Sequence, residues 1–82
     1  MTCHAEAAAA HRALQRELAD ETTVVSVDCV NDETDQPRSE IVVAGSRVPS
    51  AVCRSIESLE LGIVGVMPQG AGADRVLIVE VR

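Results

Sequence analysis

The sequence predicts an α+β fold: a four-stranded antiparallel sheet with two helices on one face, built in the order α-β-β-α-β-β. Three observations predict it. Two stretches repeat apolar residues every three or four positions, the period of a helix with one buried stripe. Four others alternate or run apolar over strand length, and polar or glycine-bearing segments lie where the chain must reverse. An 82-residue chain has room for one core, so a single domain over residues 1–82 is expected.

From Thr2 to about Ala19 the chain is rich in Ala, Leu, Glu, Gln and Arg, with no Gly or Pro, which predicts a helix. Thr2 can cap it, and Cys3, Ala7, Ala10, Leu14 and Leu18 fall on one stripe. Its end is soft, because Asp20 and Glu21 oppose the helix dipole and no glycine follows. Thr22 to Val30, TTVVSVDCV, reads as a strand with Val25, Val27 and Cys29 on one side and Ser26 and Asp28 on the other. The polar NDETDQPR then leads into SEIVVAG, where Ile41 and Val43 oppose Glu40 and Val42, so a hairpin is predicted. Pro49 suits the first position of a second helix, whose stripe Val52, Cys53, Ile56 and Leu59 ends at Gly62. GIVGVMP, the turn QGAGAD and RVLIVEVR make a second hairpin, with Leu77, Val79 and Val81 opposite Glu80. In the third strand, either Val64 and Val66 or Ile63 and Met67 face the core; the alternation does not decide.

Moving the last strand to the front would turn this order into β-α-β-β-α-β. The pattern therefore resembles a circularly permuted ferredoxin-like plait. The stretch from Ile41 to Val66, with Ser58, Leu59, Glu60, Leu61 and Gly62 at its turn, is similar to the second half of such modules. A fold so widely reused implies no function by itself.

Thirteen acidic residues face seven arginines and no lysine, a net charge of −6, and Phe, Tyr and Trp are absent. In composition the chain resembles proteins of salt-accumulating, halophilic archaea, where abundant ions screen such self-repulsion. The charge argues against nucleic-acid binding, which needs a basic stripe and usually aromatic platforms. No apolar run reaches the ~18 to 20 residues of a membrane span, so a cytoplasmic protein is expected. The three cysteines, Cys3, Cys29 and Cys53, are an odd number at wide spacing, which predicts reduced, unpaired thiols.

No motif marks a catalytic, cofactor or metal site. His4 and His11 are seven positions apart, about 10 Å along a helix, too far for two ligands of one ion, and Cys3 points away from its neighbour His4. Asp28, Asp32, Glu33 and Asp35 lack the spacing and turn glycine of a calcium loop. Gly70 and Gly72 precede a strand, which suits a hairpin turn better than a phosphate cradle. Cys53 lies near a helix start, where a thiol can be activated, but a cysteine on an apolar stripe is commonly inert packing.

These readings point to a small, non-enzymatic, self-associating interaction module with a regulatory role, needing no cofactor. The alternative is a small enzyme or ligand-binding protein whose site, involving Cys53, His4 or His11, lies at a subunit interface. Self-association is expected because the strands carry more apolar residues than two helices can cover. With Val25, Val27, Cys29, Ile41, Val43, Leu77, Val79 and Val81 toward the helices, the pleat sends Val24, Val42, Val76 and Ile78 to the opposite face. A homodimer packed through that open face about a two-fold axis follows as an expectation.

Overall fold

A computed structural model of the chain describes residues 5–31 and 37–82. It contains two helices, α1 (Ala5–Glu17) and α2 (Ser50–Ser58), and four strands, β1 (Val24–Asn31), β2 (Pro37–Ala44), β3 (Ile63–Gln69) and β4 (Val76–Val81). The strands form one antiparallel sheet in the order β1-β2-β4-β3. Both hairpins are present, and they meet at the centre of the sheet where β2 pairs with β4. Because β2 and β3 each run antiparallel to β4, they run parallel to each other, with α2 as the crossover between them.

The core explains which residues were written as stripes. Leu14 and Leu18 from the first helical segment, Val52 and Ile56 from α2, Ile41 and Val43 from β2, and Val79 and Val81 from β4 are buried in one cluster. The register places Ile41 opposite Val79 and Val43 opposite Leu77, so these strand residues share one face. That face is the one predicted. Further ties hold α1 in place: Gln15 donates from Nε2 to the Val27 carbonyl at 3.3 Å, and Ser58 Oγ donates to Glu17 Oε1 at 3.1 Å.

The helix ends differ in detail from the expectation. After Glu17 the first helix unwinds through tight turns, Ala19 N–H to Arg16 O and Glu21 N–H to Leu18 O, with no glycine to stop it cleanly. Pro49 is the N-cap of α2 and not its first helical residue; its carbonyl accepts from Val52 and Cys53. Nor does Gly62 terminate α2. Leu59 is the C-cap, and Glu60 takes the left-handed conformation at φ 58° that glycine usually fills. The bonds Leu61 N–H to Ile56 O and Glu60 N–H to Glu57 O, each 3.0 Å, then close a Schellman turn.

Two strands depart from simple alternation. In β1 a bulge between Val24 and Ser26 shifts the register by one residue. Val24 consequently pairs with Val43 and packs against the core, while Val25 is turned out and is 64% exposed. The predicted facing of these two valines is therefore reversed. In β3 a bulge between Ile63 and Gly65 leaves Val64 unpaired. Ile63 pairs with Val81 and Val66 with Val79, so these two share the core-side face, a combination that neither expected set contained. The strand also runs through Pro68 to Gln69, beyond the predicted end.

Candidate functional site

Edge strands expose main-chain groups that central strands consume, so β3 has a side with no strand partner among the described residues. Which groups point there follows from the hydrogen bonds. Gly62 and Arg82 exchange both N–H to O bonds at 3.0 Å, which makes them a hydrogen-bonded pair and the next pair, Ile63 with Val81, a non-bonded one. Counting from the other end of β4, the bond from Gly45 N–H to Arg75 O directs Leu77, Val79 and Val81 toward β2. Ile63, Val66 and Pro68, which lie opposite them, therefore turn their main-chain groups outward. This explains the proline inside a strand. Its missing N–H falls on the outer side, where it costs no ladder bond.

The side chains of β3 are as open as its backbone. Ile63, Val64, Val66 and Met67 are all close to half exposed, and with Val25 they are the exposed large apolar residues of the described chain. The strand lies inside a run of thirteen residues, Leu61 to Ala73, without a single charge, the longest such run in a chain of net charge −6. That run was the sequence signal for this site. Alternation does not reveal it, because β3 is bulged and its open side follows from the strand order.

The opposite face of the sheet has a different character. Val42, Val76 and Ile78 lie there, half-buried, as expected, whereas Val24 does not. Across the middle of that face the register lines up Asp28, Glu40 and Glu80 on three neighbouring strands. Arg38 reaches Glu80 at 3.6 Å and Glu40 at 4.0 Å, so one cation serves two of the three carboxylates. Two copies packed face to face here would bring two such rows together.

The remaining candidates are dispersed. Cys29 is disulfide-bonded, which corrects the expectation of three reduced thiols. It stands opposite the buried Ser39 on the core side of the sheet. Cys53 is free and half-buried on α2; Cys3 and His4 lie outside the described residues. His11, on α1, has its Nδ1 buried without a hydrogen-bond partner among the described residues. No group of three or more His, Cys, Asp or Glu side chains that could hold a metal occurs among the described residues. Of the proposed acidic loop, Asp28 is exposed and accepts from Ser26 Oγ at 3.2 Å, and Asp32, Glu33 and Asp35 lie outside the described residues. Gly70 and Gly72 take positive φ in the β3–β4 turn, the role predicted for them. A shallow depression on α1, lined by Ala13, Arg16 and Glu17, belongs to a single helix surface. Among the described residues no helix is long and apolar enough to cross a membrane.

Comparison of the chain with models of known families, with curated proteins and with solved structures gives no match. The geometry of β3 is thus the main guide to what the chain does.

Proposed function

We propose that this chain is a small, non-enzymatic interaction module that self-associates and serves a regulatory role. The observation that supports it is β3: an edge strand of seven residues, uncharged, with four half-exposed apolar side chains and outward main-chain groups. Such an edge binds by strand addition, main-chain bonds giving affinity and side chains specificity. The strand itself carries no charge, so pairing it with a second copy sets none of its own side chains against a like charge.

The two-layer, ferredoxin-like reading is part of the same proposal. With β4 set ahead of α1, the neighbours β4–β2 and β4–β3 and the split crossover β2-α2-β3 are those of a plait. Contribution of both helices to one core cluster supports their lying on one sheet face. A halophilic setting is supported by the charge balance. A cytoplasmic one stands only where the cytoplasm tolerates the Cys29 disulfide, since most cytosols keep thiols reduced.

Sedimentation equilibrium at molar salt, without reductant, tests self-association. The expected result is a mass rising from one chain toward two across the micromolar range. A constant single-chain mass up to hundreds of micromolar would overturn the proposal.

A further inference from the structure

We infer that the occupant of the β3 edge is β3 of a second copy, paired antiparallel about a two-fold axis at Val66 to make one continuous eight-stranded sheet. The inference rests on the self-association proposed above and names its surface.

Symmetry and register support it together. An antiparallel pair of identical strands is self-complementary about a two-fold axis. Val66 is the middle residue of Ile63–Gln69, so an axis beside it overlaps the whole strand, and its N–H and C=O both point outward. Val66 and its symmetry mate then exchange two hydrogen bonds. One step away, Gly65 of each copy lies opposite Met67 of the other. Gly65 and Met67 pair with Glu80 and Ile78, which puts them on the face away from the core. There Gly65 has the Glu80 carboxylate beside it, with Oε2 3.2 Å from where a Cβ would stand, and the lack of a side chain is what lets the flexible, half-exposed Met67 of the partner copy approach alongside that carboxylate. Pro68 has no donor to offer on this edge, so it limits the ladder and opposes pairings shifted past the centre.

Charge selects this edge over the sheet face. A dimer through Val42, Val76 and Ile78 would press together two rows of Asp28, Glu40 and Glu80, whereas β3 contributes no charged residue of its own to the seam and only Glu80 of that row, beside Gly65, lies near it. Area sets the strength. A standard interface buries roughly 800 Å² per partner, about 15% of the 5234 Å² this chain exposes. A strand edge ~23 Å long, carrying four half-exposed side chains, lies at the lower end of that class. The dimer should therefore dissociate on dilution through the micromolar range.

The test is sedimentation of the whole chain beside three variants at molar salt, with far-UV circular dichroism confirming the fold of each. Val66→Lys sets two like charges against each other at the axis, and Met67→Glu places a carboxylate opposite Gly65 of the other copy, beside that copy's Glu80; neither side chain belongs to the buried core. Each should raise the dimer dissociation constant at least about tenfold. Ile78→Asp, on the sheet face, should leave it within about threefold. A wild-type dimer broken by Ile78→Asp but not by Val66→Lys or Met67→Glu would overturn the edge pairing while leaving self-association standing. A wild-type monomer would overturn both.

Discussion

Glu60 occupies a conformation that its side chain disfavours, and the turn around it shows why the chain tolerates this. A left-handed φ costs a non-glycine residue about 1–2 kcal/mol, but the two Schellman bonds and the burial of neighbouring Leu59 and Leu61 against the core over-determine the turn. Glu60→Gly should stabilise the fold by about 0.5–1 kcal/mol, read as a raised urea midpoint at unchanged slope. Gly70→Ala should do the reverse. Its φ is 76°, and an added Cβ would lie 2.6 Å from the Asp74 carbonyl oxygen, so backbone must move; Gly45, at φ 97° with nothing within 4 Å, bears only the conformational cost. Gly70→Ala should therefore cost about 2–3 kcal/mol and Gly45→Ala about 1 kcal/mol in the same melts. The disulfide at Cys29 is read more directly. The non-reduced chain should be lighter than the reduced one by two hydrogens, with a single alkylatable thiol at Cys53 after unfolding. Reduction should cost about 2–4 kcal/mol. An unchanged mass would restore the three free thiols that cysteine spacing suggested.

At the scale of elements, the helices were legible and the facing of two strands was not, for a definite reason. A stripe at three- and four-residue spacing survives a frayed end, so Leu14, Leu18, Val52 and Ile56 were identifiable as core although the end of α1 and both ends of α2 fall elsewhere than expected. Strand facing has a period of two, and one inserted residue inverts everything on one side of it. β2 and β4 are regular, and Ile41, Val43, Val79 and Val81 are buried as their alternation predicted. β1 and β3 are bulged edges. Gly65 was a readable sign of the bulge in β3, since an isolated strand glycine often marks one, but nothing in TTVVSV distinguishes Val24 from Val25. Single truncations separate the two facings. Val24→Ala should cost about 1–2 kcal/mol and Val25→Ala less than about 0.5 kcal/mol, with Leu14→Ala, at 0% exposure, costing about 2–5 kcal/mol as the internal standard for a core cavity. The opposite ranking of Val24 and Val25 would remove the bulge. The candidate site was hidden by the same effect: a strand that fits neither alternation appears uninformative until its unpaired edge is in view.

For the whole molecule, the distribution of charge matters more than its sum, and it makes the response to salt predictable. Adjacent strands lie ~4.8 Å apart, so the carboxylates of Asp28, Glu40 and Glu80 can approach to about that spacing along one row. The screening length is ~10 Å at 0.1 M salt and ~3 Å at 1 M. Neighbouring carboxylates therefore keep roughly 60% of their unscreened repulsion in ordinary buffer and roughly 20% in molar salt. Arg38 offsets part of this, but it is shared between Glu40 and Glu80 at 4.0 and 3.6 Å, and Asp28 gains nothing from either contact. Raising salt from 0.1 to 1 M should thus raise the melting temperature. Glu40→Gln isolates the cause, because it removes the middle of the row: two repulsions are lost against one attraction at 4.0 Å. In 0.1 M salt the variant should melt higher than wild type by a few degrees, corresponding to about 0.5–1 kcal/mol, and the two should converge in molar salt. If both curves are flat with salt, the acidic surface is not what sets stability. If they rise in parallel without converging, the repulsion is spread over the thirteen carboxylates and the row across the sheet has no special part in it.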